Sequence, residues 1–222
     1  FKEMYDTVHV DEKWFYMTKI KTNLYLLPSE SGPERTVQSK RFITKVMFLA
    51  AVARPRWDPN RKTFFDGKIG LWPCVRQEQA QRSSKNREKS TLVTKPFEVN
   101  REAYLRLLLD EVIPSIKRKW PIGSRTMNIK IQQDNARPHV PVDHPEVVQS
   151  GHCDGFNISM VCQPPNSPDF NVLDLGFFNT IQSLQHQHAP RNIDELITAV
   201  QSAWDETEVG TLNKVFLSLQ KW

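Results

Sequence analysis

Nothing in this sequence is suited to crossing a bilayer or to being stapled by disulfides. The longest uncharged apolar run, Val46 to Ala53, falls far short of the ~20 residues that a membrane-spanning helix needs. The chain opens Phe1-Lys2-Glu3-Met4, without the apolar segment of a secretion signal. Three cysteines, Cys74, Cys153 and Cys162, cannot make a disulfide framework, which points to a reducing compartment. His144, His152, Cys153 and Cys162 lie close together but lack the paired short spacings of a zinc finger or knuckle. There is no repeat and no low-complexity tract. Also missing are an initiator methionine and any helix stop after Leu217, so the chain is expected to be a piece of a longer protein.

What is there is ordinary in amount and uneven in placement. At 222 residues, 39% hydrophobic and 25% charged, the chain can bury one substantial core or at most two small ones. The formal net charge is +5, yet Arg54 to Lys89 alone holds ten Lys or Arg against four Asp or Glu. The basicity therefore belongs to one segment, which reads either as a solvated loop or as a surface for phosphates.

Periodicity sketches the elements. Thr7 to Tyr16 is β-branched and aromatic, hence a strand, with Asp11 and Glu12 in its middle. A carboxylate there is unwelcome unless it is paired or binds a metal. Asn23 to Leu27 reads as a second strand and Pro28 to Ser39 as a loop. Ile43 to Val52 suits a central strand covered on both faces, and Lys68 to Val75 an edge strand because of Pro73. From Arg76 to Ser90 there is almost nothing to bury, which predicts a mobile projecting loop.

Asn100 then caps a helix to about Trp120, with Tyr104, Leu105, Leu108, Leu109, Val112, Ile113 and Ile116 at core spacing and Pro114 expected to bend or end it. Asn128 to Ile131 is a short strand. Val140 to Cys153 is loop with a short helix, and Phe156 to Cys162 another strand. A Pro-rich turn, Gln163 to Asn171, leads into a helix from about Val172 to Leu184. Ile193 to Trp204 and Val209 to Leu219 are amphipathic helices.

Three carboxylates stand out against this frame. Asp11 lies within the first strand, Asp134 follows the later strand, and Asp174 opens a helix. In α/β sheets the carboxyl ends of strands house the chemistry. Hard oxygen ligands without His or Cys select Mg²⁺ or Mn²⁺. Two such ions ~3.5–4 Å apart clamp the attacking and leaving oxygens of a phosphodiester. Blander roles exist for each: Asp134-Asn135 is also a turn signal, Asp11 also suits a pair with Lys13, and Asp174 also suits a helix N-terminus. Asp169 is read as a turn or cap residue.

Three stretches carry a resemblance. His9-Val10-Asp11-Glu12-Lys13-Trp14-Phe15, Gln132-Gln133-Asp134-Asn135-Ala136-Arg137-Pro138-His139 and Pro165-Asn166-Ser167-Pro168-Asp169-Phe170-Asn171-Val172-Leu173-Asp174 closely resemble the three catalytic blocks of mariner-like transposases. The 39 residues between Asp134 and Asp174 match the plant-type and oomycete-type branch.

The resemblance implies an α/β, RNase H-like fold with a mixed central sheet flanked by helices, filling residues 1–222 as one catalytic domain. It implies that Asp11, Asp134 and Asp174 hold two Mg²⁺ or Mn²⁺ ions, with Asn135 and His139 in support. It further implies cleavage of double-stranded DNA at terminal inverted repeats and transfer into TA targets, by a homodimer in the nucleus and away from membranes. The 76–90 segment sits where such proteins carry an insertion for DNA or subunit contacts, so Arg76, Arg82, Lys85, Arg87 and Lys89 are the candidate DNA contacts. The family's N-terminal helix-turn-helix region is not in this sequence. Val172 stands where many relatives have Pro, a change that should leave the helix start intact. A non-cleaving scaffold of transposase descent and an RNA–DNA hybrid hydrolase are the rival readings.

Overall fold

The computed structural model describes residues 3–17, 43–83, 87–121, 128–165 and 167–221. The expected strand at Asn23–Leu27, the loop at Pro28–Ser39 and Lys85 lie outside the described residues. The first expected strand forms as β1, Thr7–Tyr16. It is followed by β2 (Lys45–Ala53), the short hairpin β3 (Arg56–Asp58) and β4 (Thr63–Phe65), and then β5 (Lys68–Pro73). Next come β6 (Val75–Gln79) and β7 (Leu92–Pro96).

The segment expected to be a loop from Arg76 therefore begins as a strand. Val75 packs against the buried core, and the exposed positions carry polar contacts within and across the hairpin. Glu78 bridges Arg76 and Lys95, and the Gln77 amide donates to the Thr94 hydroxyl.

Asn100 caps α1 (Arg101–Arg106), its side chain accepting from the Ala103 N–H at 2.8 Å. The helix does not end at Pro114. It widens into a π-helical turn, Leu107–Val112, and continues as α2 (Ile113–Lys119). A proline has no N–H to offer the preceding turn and its ring crowds it, and the wider turn accommodates both. Then follow β8 (Asn128–Gln133), α3 (Pro145–Gly151) and β9 (Asn157–Cys162). A second π-helical turn, Leu173–Phe177, leads into α4 (Phe178–Gln185), and α5 (Ile193–Glu206) and α6 (Val209–Leu219) follow.

Five strands form one mixed sheet in the order β5-β2-β1-β8-β9. β1 runs antiparallel to β2, and β8 runs parallel to both β1 and β9. β5 is an edge strand ending at Pro73, as its missing N–H requires. β2 lies one strand in, with Leu49 to Ala53 fully buried.

Alternation along the strands divides the core in two. Val8 and Val10 of β1 join Leu49 and Ala51 of β2 beneath Tyr104, Leu108, Val112 and Ile116 of the α1–α2 helix. Phe15, Phe48, Ala50 and Val52 face the other way, beneath Phe178, Leu196, Val200 and Phe216 of α4, α5 and α6. The sheet is thus covered on both faces. No helix among the described residues is long and apolar enough to cross a membrane.

Candidate active site at the sheet's carboxyl end

Because β1 and β8 are parallel, with His9 opposite Gln132, their carboxyl ends lie on the same side of the sheet. Asp11 on β1 and Asp134 just beyond β8 are brought to that end by this register alone. Alternation then sends the neighbouring Asp11 and Glu12 to opposite faces. Asp11 turns towards the face where Asn171 and the Leu173–Phe177 turn pack. Glu12 turns towards the α1 face, where it meets His139.

The three sequence blocks are tied to one another in pairs. The first and second meet where His139 Nε2 stands 3.2 Å from each Glu12 carboxylate oxygen. Second and third are joined by the Gln132 amide, which donates to the Phe170 carbonyl at 2.8 Å. Between first and third lies Asn171, 1% exposed. Its amide donates to Val10 O at 3.2 Å and to Asp11 Oδ2 at 3.3 Å, and its own oxygen accepts from Leu173 N–H at 3.1 Å. Asn171, rather than Asp174, thus caps the turn that carries Asp174. That leaves the Asp174 side chain exposed and out of the capping role. Asp169 is exposed in a 3₁₀ turn, Pro168–Phe170.

Asp134 Oδ1 accepts from Ala136 N–H at 2.8 Å, as the turn reading expects, and lies 2.7 Å from His139 Nδ1. Asn135 donates to the Gln163 carbonyl at 2.9 Å, fastening this loop to the segment after β9. Asp11 is buried, and burial together with the charges of Asp174, Glu12 and Asp134 pushes its pKa up to about 8, against the pull of the Glu12 N–H bond. Burial works to lower the His139 pKa. Its hydrogen bond to Glu12, with the charges of Glu12 and Asp134, more than offsets this and holds it above the ordinary histidine value.

The arrangement concentrates negative charge. Asp11 feels the charges of both Asp174 and Asp134. Even so, among the described residues no three His, Cys, Asp or Glu side chains stand as a group that could hold a metal ion. The donor set itself fits a hard divalent cation: carboxylate oxygens only, with one member held towards its neutral form by burial and by like charges that a cation would offset.

Of the candidate DNA contacts, Arg76 is on β6 in the Glu78 pair, while Arg82, Arg87 and Lys89 are exposed around the hairpin end, away from the Asp11–Asp134 cluster in sequence. Sequence reasoning missed Glu12, Asn171 and the second role of Tyr104. Only the carboxylate in mid-strand signalled the first, and an Asn two residues ahead of the helix the second.

These features define an RNase H-like α/β fold with an acidic site at the carboxyl ends of its strands. Solved structures of the Mos1 mariner transposase share that fold. The pre-cleavage Mos1 transpososome matches with a TM-score of 0.67 at 15% identity, over 98% of this chain and 54% of that one. The Mos1 mariner paired-end complex with Mn gives 0.65 at 15%, covering 98% and 53%. The catalytic domain of Mos1 mariner transposase gives 0.58 at 14%, covering 98% and 78%. The chain thus spans about half the length of the Mos1 chains in the DNA complexes. No protein-family model matches the sequence, and no curated protein does.

Proposed function

We propose that this chain is the catalytic domain of a mariner-like DNA transposase, cutting double-stranded DNA at element ends and joining the freed end to a TA target. One observation carries the reading. The three blocks that resemble the family's catalytic motifs are far apart in sequence, yet they are hydrogen-bonded to one another at one end of a sheet whose fold is that of the Mos1 catalytic domain.

Asp11, Asp134 and Asp174 are the residues that would hold divalent cations, Mg²⁺ or Mn²⁺. Bound there, two such ions supply Lewis-acid stabilisation of the attacking and leaving oxygens of a phosphodiester. The chain's own contribution is to hold the carboxylates. Asn171 fixes Asp11 and the turn bearing Asp174, and the Ala136 N–H and His139 fix Asp134. Mos1 appears in complexes with transposon ends and with Mn and Mg. By that likeness we assign this chain duplex DNA as substrate; a second copy as partner and the nucleus as location are proposed from the sequence resemblance alone.

The test is incubation with supercoiled DNA and with RNA–DNA hybrid in Mn²⁺ or EDTA. Metal-dependent nicking of duplex DNA is expected, with hybrid left intact. Hybrid cleavage alone would favour an RNase H-type hydrolase. Binding without any cleavage would favour the non-cleaving scaffold.

The basic segment gives a separate expectation. Neutralising Arg82, Lys85, Arg87 and Lys89 together should weaken DNA binding and flatten its dependence on log salt, by about 0.9 for each phosphate no longer neutralised. An unchanged slope in a fluorescence-anisotropy titration would return these residues to a solvated surface.

A further inference from the structure

Glu12 has no part in the proposed triad, yet it is more tightly engaged than a surface carboxylate. Its side chain is 12% exposed and both its oxygens lie 3.2 Å from His139 Nε2. The other nitrogen of that ring, Nδ1, is 2.7 Å from Asp134 Oδ1 and 3.1 Å from the Asp134 carbonyl. One imidazole, its side chain 4% exposed, therefore spans from β1 to the carboxylate at the end of β8.

The ring cannot swing easily. Tyr104 of α1 stacks on it with centroids 4.2 Å apart and planes 21° from parallel. The Tyr104 hydroxyl donates to Gln133 Oε1 at 3.0 Å, and the Gln133 amide donates to the Val140 carbonyl at 2.8 Å. Both ends of the Asp134–Val140 loop are thereby fixed to the fold, and within it His139 N–H donates to the Ala136 carbonyl at 3.0 Å. The Ala136 N–H bond and the His139 Nδ1 contact both fall on Asp134 Oδ1, which leaves Oδ2 out of them.

We propose that Glu12 is a positioning residue: acting through His139, clamped by Tyr104, it sets which oxygen of Asp134 is presented to a ligand. The proposal rests on the reading of Asp134 as a ligand of a divalent cation. Partners that orient a ligand in this way are worth about 10–100-fold in metal affinity. Glu12 should have no effect of its own once His139 is removed, because its route to Asp134 runs through that ring.

The test is Mn²⁺ binding to the chain by isothermal titration calorimetry, with thermal melting recorded in parallel. Glu12→Ala is expected to weaken Mn²⁺ about 10–100-fold. Glu12→Gln, which keeps an acceptor for Nε2 but not the charge, is expected to recover most of that loss. The double variant with His139→Ala should bind no more weakly than His139→Ala alone. His139→Gln is measured as well, with the same expected loss as Glu12→Ala, in case alanine at position 12 prevents folding.

Glu12→Ala binding like the parent would overturn the proposal, as would losses that multiply in the double variant. A Glu12→Gln as weak as Glu12→Ala would also overturn it, because the effect would then be charge acting through space. A parent that binds no Mn²⁺ would overturn the metal-site reading and this proposal with it. A parent that binds, with an indifferent Glu12→Ala, overturns this proposal alone.

Discussion

Asp134→Asn is expected to abolish metal-dependent cleavage of duplex DNA, by ~10³-fold or more, while the melting temperature stays within a few degrees of the parent. The loss is large because each ~1.4 kcal/mol of transition-state stabilisation is worth tenfold, and a bound cation contributes several kcal/mol. The fold should be spared for local reasons. The Asp134 side chain is 38% exposed, and an asparagine keeps the Oδ1 that accepts from the Ala136 N–H. Single-turnover nicking of supercoiled DNA, with a melting curve on the same sample, measures both. Retained cleavage would remove Asp134 from the site. Lost cleavage with a collapsed melting temperature would mean that the residue holds the loop rather than the chemistry.

Asp11→Asn is expected to do the opposite to stability. Asp11 titrates at about 8 in the folded chain because burial and the charges of Asp174, Glu12 and Asp134 resist its ionisation. An unfolded aspartate titrates near ~3.9. The raised folded value means that stability is fully present below about pH 4 and is lost as pH rises through about 8.

An asparagine carries no such charge and keeps one of the two acceptors, for the Glu12 N–H or for the Asn171 amide. In metal-free buffer the variant should therefore match the parent at pH 4 and exceed it at pH 9. The gain is on the order of a few kcal/mol, or roughly 5–10 °C in melting temperature for a chain of this size. Parallel melting curves across pH would show it, and identical pH profiles would mean that Asp11 ionises normally. Cleavage should be lost in this variant, so the site would be trading stability for charge placed in a buried position.

Much of this is legible in the sequence. β1 needs only its β-branched and aromatic run, and the α1 start needs only Asn100, because local preference and burial agree there. The β6–β7 hairpin is not legible. Its outward positions are polar on both strands, as in the Glu78–Lys95 pair, and residues with little to bury look alike in a loop or in a solvated ladder. Of the two outcomes expected at Pro114 the end does not occur, and the helix continues through a wider turn that periodicity does not reveal.

In the candidate site the three carboxylates are readable as motifs: Asp11 within a strand, Asp134 just after one and Asp174 in the first turn of a helix. Asn135 and His139 come with the second motif, but the partners that reach across from the other blocks are not readable, because they are side-chain contacts across long separations. Glu12 meets His139 at a separation of 127 residues, and Asn171 meets Asp11 at 160. Tyr104 sits at a helical core position and also stacks under the histidine, a double duty that spacing alone cannot signal.

The central claim is that Asp11, Asp134 and Asp174 together hold divalent cations. Anomalous diffraction from crystals grown or soaked in millimolar Mn²⁺ tests it most directly. The account expects one or two Mn²⁺ peaks among these three side chains, removed by Asp134→Asn. No peak there at millimolar Mn²⁺, or a peak held by other residues, would contradict it.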